Sequence, residues 1–498
     1  MKKAKIYYTS DTHGYIFSTA TDTPNCILQC IGEFDKTPDT LIIDGGDTIQ
    51  GSPFARYLWK DNCFPEGIPV AFNEGKYDYY TLGNHDFNYG YSGLSQYVQN
   101  MDATCIVANV KDTSGKLHFT KYIIHETESG LKIGLTGIVT DCVTLWEPKE
   151  NLVNLEILDS YMAVKEVLAE MKGQCDVTIC IYHGGFEDDL DTGKNLTVGN
   201  ENIACKICKE LSFDVLLTAH QHMEQEGRDY FGTHILQLPP NANKYAKIEI
   251  ALGDTLEIQS EIILPQGVQC ANFLEKIKVV KDRSEEWLSQ EAGTIKESVR
   301  SREKADMAAN GCAIADFCNT VQLHTTGADI SVTSLPNQEI HLPRELKINN
   351  IMKVFPFSND VMLLEMRGDI LRQGLEQCAT YFEVEDGQLV VSDAFTKPKH
   401  EHYNYDYFAG VSYDIHMKNP IRDRVRNVLV NGDPLDEDRI YRVAMSSYRA
   451  TGTGGYEFYK ECNILISYPK DIQDLILDYL ANNADLEIQK LSHINIVM

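Results

Sequence analysis

Five times in its first half the chain passes through a short strand-like stretch and ends it on residues that bind metals. Asp11-Thr12-His13 follows AKIYYTS, Gly45-Gly46-Asp47 follows TLIID, and Asn84-His85-Asp86 follows YDYYTLG. His183-Gly184-Gly185 follows CDVTICIY, and His220-Gln221-His222 follows FDVLLTA. These stretches, with KIGLTGIV among them, are short and rich in β-branched and aromatic residues, as strands are. Helical candidates lie between them. In SYMAVKEVLAEMK, for example, Ala163, Val167, Leu168 and Met171 share one face. Strands alternating with helices predict a layered α/β domain. Ligands of such sheets gather outside the carboxyl ends of the strands, so the five endings are expected on one crest.

Each ending alone has a plainer reading, since Asp and His after a strand commonly form turns or caps. Five together are a different matter. Their mixed oxygen and nitrogen donors suit Mn, Zn, Fe or Co better than a calcium cage. Two clusters of three to four such ligands match a site for two divalent ions about 3.5–4 Å apart. Neighbouring glycines let the backbone turn sharply and leave the ligand side chains uncrowded.

At 498 residues the chain is too long for one ordinary core. Residues 239–264 read as two further strands around Gly253-Asp254, and NFLEKIKVVKDRSEEWLSQ reads as a charged helix. These features predict a catalytic domain over 1–268, a helical linker over 269–300 and a second domain over 301–498. The last has its own apolar runs, ADISVTS, DVMLLEM and IYRVAMSS, with turn signals at Asn431-Gly432 and in the glycine cluster 452–455. A formal charge of −28 disfavours nucleic-acid polymers and anionic membranes, but bound cations would reverse its sign locally for a small anion. No apolar run is long enough for a membrane span. MKKAKIYY lacks the apolar region of a secretory signal. The expectation is therefore a cytoplasmic protein with free thiols, the alternative being a secreted chain whose signal has been removed.

The series DTH, GGDTIQGS, LGNHDF, HGG and AHQH resembles the calcineurin-like metallophosphoesterases, and the second half resembles the C-terminal domain of the 5′-nucleotidase superfamily. The resemblance implies an α/β fold: an N-terminal four-layer αββα sandwich and a C-terminal α/β substrate-binding domain. It implies that Asp11, His13, Asp47 and His222 hold one metal. Asp47, Asn84, His183 and His220 would hold the other, with Asp47 bridging. His85 would be the catalytic histidine beside these ligands, contacting a phosphoryl oxygen or the leaving alkoxide while water attacks phosphorus in line.

Several positions depart from the 5′-nucleotidase pattern. Where GNHEFD has an Asp that orients the histidine, this chain has Asn88. Where an Asn-Gly-Gly-Gly-Ile-Arg run binds phosphate, residues 328–338 read ADISVTSLPNQ. Where a glycine-loop Asp holds ribose, Gly454 stands in TGTGGY. GDTIQGSP, GNHDFNYG, YNYDYFAGVSYDI and SSYRATGTGGY look instead like the 2′,3′-cyclic-nucleotide 2′-phosphodiesterase/3′-nucleotidase branch. The expected partner is thus a small nucleotide. Its base would stack on Tyr405 and Tyr448 beside Gly452 and Gly454, and it would be held by one domain and cut by the other. Tyr at 403, 405 and 407 also describes an ordinary strand face. The rival readings are a 5′-nucleotidase or nucleotide-sugar hydrolase and, in another class, a nucleotide-binding protein without catalysis.

Overall fold

The strand and helix alternation of the first half becomes two stacked sheets. The computed structural model describes residues 1–17, 25–196, 199–267, 271–356, 359–397, 399–491 and 493–498, and forms two units, Met1–Glu285 and Glu286–Met498. In the first unit one six-stranded sheet runs in the order Leu256–Ile263, Tyr245–Leu252, Lys2–Thr9, Thr40–Asp44, Tyr79–Tyr80 and Thr104–Cys105. The other runs Gln225–Tyr230, Thr233–Gln237, Val215–Thr218, Val177–His183, Lys132–Val139 and Tyr122–Glu126.

Side chains on a strand alternate between its faces, which sorts the apolar residues into layers. Ile6, Tyr8, Leu41 and Ile43 of the first sheet meet Ile133, Leu135, Ile179, Ile181 and Leu217 of the second in one buried cluster. Cys180, Tyr182 and Leu216 point the other way, under Val164, Val167 and Met171 of helix Ser160–Met171 and Ile207 of helix Ala204–Glu210. Leu168 lies only at the margin of that helix face, and Val164 takes the central place. On the opposite side of the sandwich Tyr7 and Tyr77 pack against Phe34 and Phe72. The order is helix, sheet, sheet, helix.

Parallel pairing brings the strand ends level. Thr9 pairs with Asp44 and Asp44 with Tyr80 in one sheet; Val139 pairs with His183 and Tyr182 with Thr218 in the other. Tyr8 Oη donates to the Thr218 carbonyl across the sandwich at 3.1 Å, so both sheets end on the same crest. The charged segment after the last strand is a helix, Ala271–Ser289. Its Lys276 and Arg283 pair with Glu74 and Glu66 of the first unit, so this helix is docked rather than free-standing. Among the described residues no helix is long and apolar enough to cross a membrane, and every described cysteine is a free thiol.

The second unit centres on a five-stranded sheet ordered Asp406–Ala409, Ile330–Ser334, Ile440–Ser446, Asp360–Arg367 and Asn463–Asp471. Beside it, Asn431 (φ 51°) and Gly432 (φ 93°) turn strand Val425–Val430 back on Asp433–Pro434. Both residues have the positive φ that a tight two-residue hairpin requires.

Tyr405 corrects an expectation. It is 1% exposed, its ring lies 4.8 Å from that of Tyr381 and 5.0 Å from that of Tyr407, and its hydroxyl donates to the Ala308 carbonyl at 2.9 Å. It packs in the core just ahead of strand Asp406–Ala409, which holds Tyr407 but neither Tyr403 nor Tyr405, and no face of the ring is left for a base. Tyr405→Ala should therefore destabilise the second unit by about 3–5 kcal/mol, the usual cost of deleting a buried aromatic ring. Tyr405→Phe, which loses only the hydroxyl, should cost about 1 kcal/mol. Urea denaturation of the two variants measures the difference.

Candidate metal centre

The crest gathers the strand endings into two overlapping clusters. One donor atom each from Asp11, His13, Asp47 and His222 lies within 4.8 Å of the others, and the same holds for Asp47, His183 and His220. In the first cluster His13 Nε2 is 3.0 Å from His222 Nε2, and His222 Nε2 is 3.5 Å from Asp11 Oδ1. In the second, His183 Nε2 is 3.3 Å from Asp47 Oδ2 and His220 Nδ1 is 2.8 Å from Asn84 Oδ1. Asp47 is common to both.

The backbone is bent to make this arrangement. Asp11, His13, Asp47, His220 and His222 have φ of 50°, 48°, 56°, 71° and 57°. Each is a left-handed conformation that costs a residue with a Cβ about 1–2 kcal/mol. Such strain persists only where surrounding contacts enforce it, and they do. Asp11 N–H donates to the Gly46 carbonyl and His13 N–H to the Asp47 carbonyl. His220 N–H donates to Asp11 Oδ1 at 2.9 Å, and His85 N–H to Asp47 Oδ1 at 2.7 Å.

The donors fit divalent cations. His13 Nδ1 lies 2.9 Å from the Gln50 carbonyl and His183 Nδ1 2.7 Å from that of Gly45. A carbonyl only accepts, so both Nδ1 atoms carry a proton, and each Nε2 presents a lone pair once its ring is neutral. Such backing is typical of metal-binding histidines. Asp11 Oδ2, Asp47 Oδ2 and His183 Nε2 are buried without a hydrogen-bond partner. The electrostatics agree. Burial resists charge on Asp11, but His222 and His183 hold its pKa down at about 2. Burial resists charge on His183 as well, yet Asp47 and then Asp11 lift its pKa to about 10. The cluster therefore calls for positive charge between its carboxylates.

His85 stands beside these groups, its ring edge-on to His13 at 5.7 Å between centroids. Its Nδ1 is 2.8 Å from Asn88 Oδ1. Asn88 Nδ2 in turn donates to Glu147 Oε1 at 2.5 Å, and Asn151 Nδ2 donates to Glu147 Oε2 at 2.8 Å. Sequence reading missed Glu147, and also Glu201, whose Oε1 is 2.9 Å from His220 Nε2, and Trp146, whose ring stacks 5.6 Å from that of His220. Trp146 ends the short helix Val143–Trp146, Glu147 follows it and Glu201 lies in a loop, all without a motif, so only the fold brings them in. A third acidic group, Glu187, Asp188 and Cys205, is accounted for internally. Glu187 accepts the N–H groups of Cys205 and Lys206, and Asp188 pairs with Lys209 and Asn195.

Of the proposed substrate residues, Tyr448 is half-buried on the short helix Ser447–Ala450, and Tyr405 lies in the core. Gly452 and Gly454 have φ of 82° and 75°, so both positions favour glycine.

Comparison with known proteins agrees with this geometry. Residues 4–224 match the calcineurin-like phosphoesterases, and residues 291–461 match the 5′-nucleotidase C-terminal domain. A trifunctional nucleotide phosphoesterase protein of Bacillus subtilis is 24% identical over 90% of the chain, which spans only 35% of that relative's length. A 2′,3′-cyclic-nucleotide 2′-phosphodiesterase/3′-nucleotidase of Haemophilus influenzae is 21% identical over 97% of the chain and 85% of its own length. A solved Staphylococcus aureus structure, described as a candidate 5′-nucleotidase in complex with α-ketoglutarate, superimposes with a TM-score of 0.90 at 26% identity over the whole of both chains. The chain is a phosphoester hydrolase built from an N-terminal calcineurin-like phosphoesterase domain and a C-terminal 5′-nucleotidase domain.

Proposed function

We propose that the chain hydrolyses nucleotide phosphoesters with two divalent ions drawn from Mn, Zn, Co and Fe. Asp11, His13, Asp47 and His222 hold one ion; Asp47, Asn84, His183 and His220 hold the other. The observation that carries this reading is the pair of ligand clusters sharing the buried Asp47. Bound there, the ions would supply an activated water and neutralise the phosphoryl oxygens. His85, outside both clusters, hydrogen-bonds a phosphoryl oxygen or protonates the leaving alkoxide.

The substrate we favour is a 2′,3′-cyclic nucleotide, opened to a 3′-monophosphate that the same site then cleaves to nucleoside and phosphate. Asn88 in place of the orienting Asp supports it, and so does Gly454. A Cβ at 454 would lie 2.2 Å from Asn404 Oδ1 and 2.6 Å from an Arg449 guanidinium nitrogen, so an Asp that holds ribose has no room there. Relatives named for this activity include the H. influenzae protein. Tyr448 remains the aromatic candidate for stacking a base, a contact worth about 1–3 kcal/mol. The second reading is a 5′-nucleotidase, favoured by the likeness to the S. aureus structure.

Two outcomes are expected. Chelation should abolish phosphate release and added manganese restore it, while Asp47→Asn should lose both activity and bound metal, measured by elemental analysis. Full activity in a thoroughly chelated sample would overturn the two-metal reading. In a panel of paired nucleotides, 2′,3′-cyclic and 3′-monophosphates should release phosphate faster than 5′-monophosphates. Efficient 5′ cleavage without cyclic activity selects the second reading.

A further inference from the structure

A histidine that exchanges a proton with substrate through one ring nitrogen needs the other nitrogen fixed. A carboxylate on Nδ1 does this automatically, because it only accepts and so keeps the Nδ1–H tautomer. Here Nδ1 of His85 faces an amide, Asn88. An amide is two-sided. Turned by 180° it presents NH2 instead of oxygen and selects the opposite tautomer. Another group must therefore set the amide's direction.

Glu147 stands in that place. It follows the short helix Val143–Trp146, with its N–H on the Val143 carbonyl at 2.9 Å. Both carboxylate oxygens take amide donors: Oε1 takes Asn88 Nδ2 at 2.5 Å and Oε2 takes Asn151 Nδ2 at 2.8 Å. Asn151 Nδ2 also lies 3.2 Å from the Asn88 carbonyl, which closes a small ring of contacts around Asn88. Because an ionised carboxylate only accepts, Asn88 must point its NH2 at Glu147 and its oxygen at His85. His85 Nδ1 then keeps its hydrogen, so a proton given to the leaving alkoxide comes from Nε2 of the doubly protonated ring and leaves the neutral Nδ1–H tautomer behind.

We propose that Glu147 is a positioning residue that acts through Asn88, fixing the His85 tautomer as an orienting carboxylate would, but from one side chain further away. The inference rests on the reading of His85 as the group that meets the substrate. It accounts for an Asn at 88. With the carboxylate at 147, a second one at 88 would sit against it at hydrogen-bond distance with no proton between them.

The pair should exchange roles. In Glu147→Gln the side chain can donate or accept, so the Asn88 amide loses its fixed direction. The expected loss is about 10- to 100-fold in kcat with KM unchanged, the usual cost of removing a group that orients a site residue. Asn88→Asp alone should also lower kcat, by setting like charges together. When Asn88→Asp is combined with Glu147→Gln, the amide now at position 147 donates to the carboxylate now at position 88, and that carboxylate accepts from His85 Nδ1. The kcat of this double variant should return to within about threefold of the parent, a non-additivity expected of directly coupled residues. In a His85→Ala background, Glu147→Gln should change nothing further.

The assay is steady-state hydrolysis of adenosine 3′-monophosphate and bis(p-nitrophenyl) phosphate by the metal-loaded full chain, with metal content determined for each variant. Additive losses in the double variant, a rise in KM alone, or a Glu147→Gln effect that persists without His85 would each make Glu147 a packing residue and overturn the proposal. Parent-like Glu147→Gln beside a disabled His85→Ala overturns this inference alone. Parent-like His85→Ala overturns the reading of His85 and this inference with it.

Discussion

The centre depends on one buried carboxylate that belongs to neither ligand cluster. Asp86 is fully buried and accepts four backbone N–H groups: Gly83 at 2.8 Å, Asp47 at 3.0 Å, Thr48 at 2.9 Å and Ile49 at 3.1 Å. The first belongs to the loop after strand Tyr79–Tyr80 and the others to the loop after Thr40–Asp44, so a single side chain clamps two loops together. Burial and then the charge of Asp47 raise its pKa to about 6, while the N–H donors act against them. The loops must nearly touch for this to work. A Cβ on Gly46 would lie 2.4 Å from Gly83 N, and one on Gly83 would lie 2.2 Å from Asp47 Oδ1. Two glycines permit the approach, Asp86 holds it, and Asp47 is left aimed between the two histidine sets.

This division of labour explains what could be read in advance. Strand endings were legible because a strand between helices has a strong local pattern, and Asp11, His13, Asp47, Asn84, His183, His220 and His222 all come to the crest. The roles within GNHD were not legible from pattern alone. Asp86 and Asp47 are the same residue type in adjacent motifs, and only the direction of each carboxylate separates a clamp from a candidate ligand. Glu147 was invisible for another reason. It lies 59 residues from Asn88, in a stretch whose composition says nothing about chemistry. Tyr405 failed as a stacking residue because alternation shows which side chains share a face, not whether that face is core or cleft.

In the second unit a comparable clamp joins the tyrosine-rich segment to the glycine loop. Arg449 is 2% exposed, and its Nε donates to Asp406 at 3.0 Å. Its other nitrogens donate to the Thr453 carbonyl at 2.5 Å and the Tyr403 carbonyl at 3.0 Å, and its guanidinium carbon lies 4.1 Å from the Tyr456 ring centroid. Asp406 is fully buried; burial raises its pKa and Arg449 opposes that rise. A buried ion pair like this adds little net stability against an apolar pair of the same size. What it provides is a fixed geometry, since Arg449 and Asn404 together fill the space beside Gly454. The glycine there is thus dictated by its neighbours as much as by its own positive φ.

The same logic of neighbours governs the protons of the metal centre. Burial, reinforced by His222, drives the His13 pKa down to about 4, while Asp47 and Asp11 drive that of His183 up to about 10. Two histidines of one type, a few ångströms from the same carboxylate, are pushed in opposite directions. Without a cation in the cluster, His183 therefore carries a proton near neutral pH and His13 does not. A divalent ion on the His183 side must displace that proton, whereas His13 already offers its lone pair. His13 and His183 are thereby made unequal toward acid, although both lie beside the same Asp47 carboxylate.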